Sequence, residues 1–426
     1  MNPIVYAIPV FFALMALEWA VAHARGQRVY RLGDTISSVG LGAISQVSGL
    51  YTRVLYFGVY ALAYQSLALQ ELPVSAWWVW VLGLLLYDFL YYWHHRLGHE
   101  VALFWAAHVV HHQSEDFNLG TALRQSSSTF LVGWVFYLPM AILGFPPLVF
   151  AVVALIDLLY QYWIHTEQIG RLGWFDRVFA SPSNHRVHHG VNERYLDKNY
   201  GGILILWDRL FGTFEEERDD DPVVYGTRKP LRSHDPLWAN LEVYAALARD
   251  SWRTRRWGDK LRVWGKPPGW QPPDLAAAEP HPPFDPSAAR KYDPPLTSAA
   301  AVYAGLLFAA LIAAGAHALA LDGGPPLAGM PASYGTAYAI WILMSLWALG
   351  RWTEGRARAA PILAGVLAAA ALAVILTAGL TATTGTVAGT LLLAALGAVR
   401  LRPRRAASGP AAVGPDRSGP TTADSR

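Results

Sequence analysis

The chain has 426 residues, of which 53% are hydrophobic and only 15% charged, with a formal charge of +3 and no cysteine. That composition excludes an ordinary soluble protein of this length, and the small charge gives no sign of a nucleic-acid partner. Without Cys there are no disulfides, thiolate nucleophiles, iron–sulfur clusters or Cys-based zinc sites, so any metal must be held by His and carboxylates.

Apolar runs of about twenty residues, enough to cross a hydrocarbon core of roughly 30 Å, recur along the chain and predict an all-α, polytopic membrane protein. The first, from Pro3 to Ala22, lacks a basic leader and cleavage site and is expected to be a retained span. Arg25, Arg28 and Arg31 follow it. The second, Gly40 to Leu69, is too long for one straight crossing, and Ser37, Ser38, Ser45, Gln46 and Ser48 predict an interfacial start. Trp77 to Trp93 returns after a turn at Glu71 to Pro73. Thr129 to Leu143 and Leu148 to Ile164 read as a hairpin about Gly144 to Pro147, with Pro139 kinking its first arm. From His165 to Leu296 the chain is polar; its acidic run, Glu215 to Asp221, is expected to be a solvated loop and its Pro-rich end an extended linker. Further spans are expected near 299–320, 333–350, 361–379 and 383–399, then a disordered tail.

These expectations divide the chain into N-terminal spans (1–70), a catalytic region (71–296), a C-terminal bundle of additional spans (297–400) and a tail (401–426). If nine spans alternate, Arg25, Arg28, Arg31, the histidines and Arg351 to Arg358 share one side, while the opposite turns carry no Lys or Arg. The positive-inside bias then makes that side cytoplasmic.

The histidines carry the chemistry. In HRLGH, His95 and His99 are four apart and share a helix face. In HVVHH, His108 lies over His111 and His112, and NHRVHHG repeats that spacing with His185, His188 and His189. His165 ends an apolar run in WIHTE. Neutral imidazole is a good ligand for iron, zinc, copper and nickel, and nine donors match two metals with four or five nitrogens each. A structural zinc site closes at four ligands, so the excess points to a dinuclear catalytic centre. His94 points roughly 100° off the His95 face and is left out. His23, His234, His281 and His317 lie outside the clusters and read as structural or surface groups. Ligating imidazoles commonly donate their second N–H to a carboxylate or carbonyl, which makes Asp88, two turns before His95, a candidate supporting group. Asp157 and Gln161, spaced by four before His165, are candidates on the same ground, with Glu100 nearby.

At these residues the sequence resembles the fatty acid hydroxylase/sterol desaturase superfamily, whose hallmark is such a set of His boxes. HRLGHEVALFWAAHVVHHQSEDFNLGTALRQ, YQYWIHTE, NHRVHHG and LDKNYGGILILWDRLFGTFEEE are most similar to its ether-lipid branch, from about Asp88 to Pro272. The resemblance implies a di-iron centre held by these histidines in a cytoplasmic cap, dioxygen as oxidant, and hydroxylation of a lipid carbon. For the ether-lipid branch it implies cleavage of an O-alkylglycerol to aldehyde and glycerol, with tetrahydrobiopterin as reductant. Two positions depart from the pattern: Ile169 stands where many fatty acid hydroxylases have a second His, and Asn184 where the branch often has another. No nucleotide-binding glycine loop or haem-domain signature is readable, so electrons must come from an external donor.

The leading expectation is therefore a di-iron lipid monooxygenase in a bacterial inner membrane, or in the endoplasmic reticulum of a eukaryote. The alternative enzyme is a fatty acid, sterol or carotenoid hydroxylase or desaturase with the same centre. A metal transporter would place its histidines at span midplanes between inverted repeats, which these sequences do not do.

Overall fold

The computed structural model describes residues 3–279, 284–324, 326, 331 and 333–403. His281 and the tail from residue 404 lie outside the described residues. Among these residues there are only helices, turns and two isolated β-bridges, Phe179 with Leu204 and Gly190 with Tyr225.

The main helices are α1 (Ile4–Ala24), α2 (Leu32–Leu67), α3 (Trp77–Glu100), α4 (Ala102–His112), α5 (Pro147–Trp163), α6 (Pro182–His188), α7 (Pro236–Arg253), α8 (Trp257–Gly265), α9 (Ser298–Ala320), α10 (Ser333–Thr353), α11 (Ala359–Ala378) and α12 (Ala382–Arg400). Four of them, α1, α9, α11 and α12, are long and apolar enough to cross a membrane unaided. The helices α2, α3 and α10 are long enough but carry more polar residues, several of them buried, such as Ser37 and Ser38 in α2, Asp88, His95 and His99 in α3, and Ser345 in α10.

The second expected run belongs to α2, one unbroken helix of 36 residues that begins before Gly40. Its first turns are buried because Ser37 and Ser38 accept hydrogen bonds from the Arg124 guanidinium, at 3.0 and 3.3 Å. The span expected over Thr129 to Leu143 is instead broken into 3₁₀ turns (Thr129–Leu131, Gly133–Tyr137) and a short helix, Leu138–Ile142. Pro139 opens that short helix rather than kinking a longer one, as its missing N–H allows.

Aromatic packing joins α2, α3 and α5: Tyr60 stacks on Phe150 with centroids 4.0 Å apart, and Tyr87 lies 6.0 Å from the same ring. The C-terminal helices are built from small residues, which let backbones approach closely in lipid. There Leu363 and Leu367 are fully buried, and Trp352 donates from Nε1 to the Ala398 carbonyl at 2.8 Å. The α9 helix packs against α2 and α10 and so joins this bundle to the histidine-bearing helices.

Candidate metal centre

A single extended residue, Val101, separates α3 from α4. The chain reverses there, so the last two turns of α3, with His95 and His99, face the His108, His111 and His112 side of α4. Ser181 caps α6 by accepting from the Asn184 N–H, and this short helix brings in His185 and His188, with His189 at its C-cap. His165 follows the end of α5.

The nine imidazoles fall into two groups: His95, His99, His108, His112 and His188 in one, and His111, His165, His185 and His189 in the other. Within each group one ring nitrogen per residue lies within 4.8 Å of all the others. Eight of the nine are buried and His108 is partly so. Nε2 atoms face one another: His95–His108 at 3.2 Å, His108–His112 at 3.0 Å and His188–His112 at 3.2 Å. In the second group the separations are His165–His111 3.1 Å, His185–His165 2.9 Å and His189–His185 3.2 Å.

The other ring nitrogen decides what these contacts mean. Nδ1 of His95 donates to the Tyr200 carbonyl at 2.8 Å and that of His188 to the Lys198 carbonyl at 3.0 Å. His111 donates likewise to Arg124 at 3.0 Å, and His165 to Gln161 at 2.7 Å. A carbonyl can only accept, so each of these neutral rings carries its proton on Nδ1 and turns a lone pair outward on Nε2. His111 and His165 thus aim two lone pairs at each other across 3.1 Å, an arrangement that repels unless a cation is shared. His99 has a buried Nε2 with no hydrogen-bond partner. A divalent metal in each group fits this donor set.

Burial, reinforced by neighbouring imidazoles, holds His108, His112, His165, His185, His188 and His189 well below the ordinary imidazole value. Burial takes His111 to about 4. The rings are therefore neutral near pH 7, the form that binds metal.

The expected carboxylate supports lie elsewhere. Asp88 reaches no histidine; it accepts from Ile203 N (2.7 Å), Leu204 N (3.1 Å) and Trp207 Nε1 (2.8 Å). Asp157 accepts from Gln161 Nε2 at 2.6 Å, and the Gln161 side chain in turn accepts from the Tyr91 hydroxyl. Gln161 supports His165 through its backbone carbonyl alone. Glu100 pairs with Arg96 at 2.9 Å. A Cβ on Gly202 would lie 2.7 Å from Asp157 Oδ1 and 3.1 Å from Asp88 Oδ1, so only glycine lets the backbone pass so close to both carboxylates.

Sequence reasoning missed three supports. Arg124 is buried, donating also to the Val110 carbonyl (2.7 Å) and Gln113 Oε1 (3.3 Å), and this locks the carbonyl that orients His111. Asp197 and Asn199 take left-handed φ of 58° and 57°, turning the Lys198 and Tyr200 carbonyls inward. Asn199 is held by donating to the Asn184 and Glu215 carbonyls at 3.0 and 2.8 Å. The Asp-Lys-Asn-Tyr-Gly-Gly string was the readable signal, since Asn, Asp and Gly favour such turns. Among the bystanders, His94 stacks on Phe136 and His234 is buried beside Thr353. His23 stacks on Trp19, and His317 lies beside Tyr338. Asn184 donates to the Asp176 and Phe179 carbonyls, away from both groups.

An apolar cavity of about 270 Å³ begins at His95, His108, His111 and His165. It continues between α1 (Ile4 to Phe12), α2 (Val39 to Val47), α5 (Ala154 to Tyr162) and α9 (Ile312 to Leu319). The α1 wall alone covers about 12 Å along its axis, at 1.5 Å per residue.

Residues 80–213, the part of the chain that carries the nine imidazoles, match the Fatty acid hydroxylase family, and several of the described helices are apolar enough to make this a multi-pass membrane protein. More particularly, the chain is 42% identical to alkylglycerol monooxygenase of Homo sapiens over 276 residues, covering 64% of this chain and 61% of the human protein. It is 40% identical to alkylglycerol monooxygenase of Xenopus tropicalis over 288 residues, 66% of this chain and 64% of that protein. Ornithine lipid hydroxylase OlsE of Rhizobium tropici is 35% identical over 135 residues, 32% of this chain and 41% of that protein. The matches thus span somewhat under two thirds of the length of the alkylglycerol monooxygenases. No solved structure matches the chain.

Proposed function

We propose that the protein is a membrane di-iron monooxygenase that cleaves O-alkylglycerols. The observation that carries the reading is the pair of imidazole groups beside an apolar cavity that runs between α1, α2, α5 and α9. Similarity to alkylglycerol monooxygenases supports the substrate class.

In this reading His95, His99, His108, His112 and His188 hold one iron, and His111, His165, His185 and His189 the other. When bound, the iron pair supplies the redox chemistry that reduces dioxygen. The protein's own part is to fix tautomers through the four backbone carbonyls, to keep the imidazoles dry and neutral, and to position the lipid. The alkyl chain lies along Phe11, Val39, Leu158 and Ile312, which leaves the carbon beside the ether oxygen near His95 and His165. Overall, alkylglycerol, dioxygen, two electrons and two protons give a hemiacetal and water; the hemiacetal then separates into aldehyde and glycerol. The electrons come from an external donor, for which the family resemblance favours tetrahydrobiopterin. The basic flanks of the spans support a cytoplasmic orientation of the centre.

The similarity to a named ornithine lipid hydroxylase favours a second reading, hydroxylation of an acyl lipid at the same centre. Membranes with the protein, incubated with alkylglycerol, oxygen and a reduced pterin, should lose the ether lipid and yield aldehyde. Loss without oxygen would overturn the monooxygenase reading. Consumption of acyl lipids with ether lipids untouched would favour the second.

A further inference from the structure

The outward face of α7 and α8 lies beyond the fatty acid hydroxylase match and is unlike a surface meant for water. Along α7, Leu237, Leu241, Ala245, Ala248 and Trp252 recur three or four residues apart, and all are exposed. Trp257 and Leu261 continue the apolar stripe on α8; Trp252 is 86% exposed, Trp257 82% and Leu261 79%.

The inner face of α7 is fixed to the histidine region. Gln113 Nε2 donates to the Ala239 carbonyl at 3.0 Å, Ser127 N to Asn240 Oδ1 at 2.9 Å, and the Tyr244 hydroxyl to Ser128 at 3.1 Å. Those serines immediately precede the apolar segment that starts at Thr129, so the inner face of α7 is tied to the polar end of that segment.

Cations crowd the same surface. Between Arg249 and Lys266 there are seven Lys and Arg against two carboxylates, Asp250 and Asp259. Asp259 is buried, 3.1 Å from both Arg256 and Arg262. A helix pair with exposed Trp and Leu on one side and a basic rim lies in a membrane interface. Its charge selects anionic headgroups. A second copy of the chain docked on this face would set the same cations against one another.

We propose that α7 and α8 form an in-plane anchor whose apolar stripe sinks to the headgroup–acyl boundary of the same bilayer and whose cations bind anionic phospholipids. Because α7 packs on α4, which carries His108, His111 and His112, the anchor holds the metal-binding region against the membrane at a fixed depth.

The chain has no native Cys, so single cysteines can be labelled specifically. Leu241→Cys, Trp257→Cys and Leu261→Cys would each carry a nitroxide in the full chain, reconstituted in nanodiscs with or without phosphatidylglycerol. Asp219→Cys, whose side chain is 92% exposed, serves as the water reference. In anionic discs the three labels should collide with oxygen more than with a water-soluble nickel chelate, the reverse of Asp219→Cys. Arg255→Glu, Arg256→Glu and Lys260→Glu should each lower the partition of the labels about fivefold in anionic discs. Labels as open to nickel as Asp219→Cys in both disc types would overturn the anchor. Labels shielded from both nickel and oxygen would also overturn it, by revealing a protein partner. A phosphatidylglycerol-independent depth would overturn the charge selection. Unchanged circular dichroism of each variant confirms that it folds.

Discussion

The five-imidazole and four-imidazole groups draw on the same short helices, yet their rings are aimed by different devices. In the first, the orienting carbonyls come from a loop, Lys198 and Tyr200, bent into shape by left-handed Asp197 and Asn199. In the second, they come from Arg124, locked by its own buried guanidinium, and from Gln161 near the end of α5. One support is a turn and the other a buried polar network, so the two groups should fail separately. The α4 and α6 helices donate to both, which couples the two imidazole groups in position while leaving their supports distinct.

The largest effects should follow from removing one ring of either group. His112→Ala and His189→Ala should each abolish turnover and lower metal content from about two ions per chain to about one, measured by elemental analysis. One firmly bound ion, indifferent to loss of His189, would break the division into two groups.

Arg124→Met comes next. It strips the buried donors from Val110, Ser37, Ser38 and Gln113 and should cost about 3 kcal/mol, read as a lowered Tm. Metal should leave the four-imidazole group first, which spectroscopy of a half-loaded sample can detect.

Asn199→Ala should be milder and opposite in sense. With the loop freed from Asn184 and Glu215, activity should drop about 10- to 100-fold, and the metal lost should be that of the five-imidazole group. Equal loss from both groups would erase the contrast.

Gly315→Leu in α9 leaves both groups intact and narrows the cavity. It should shorten the longest alkyl chain turned over, with metal content unchanged. His23→Ala, on a ring stacked against Trp19 away from both groups, should change neither activity nor metal content.

The sequence by itself determined the all-α membrane architecture and picked out nine histidines that the fold brings together. Helical spacing alone sets His95 over His99 and His108 over His111 and His112, and runs such as those in α1 and α9 can only satisfy their backbone in lipid as helices. It also excluded His94, because a neighbour on a helix faces elsewhere. Tertiary structure decided how the nine divide: adjacent His111 and His112 go to different groups, as do His188 and His189, a partition no spacing rule contains. It decided too that backbone carbonyls rather than Asp88 or Asp157 hold the rings, because a carbonyl's direction depends on φ and ψ in a distant loop. The cavity wall supplied by α9, more than a hundred residues after the last histidine of the site, had no local signature, since an apolar residue facing a cavity reads the same as one facing lipid.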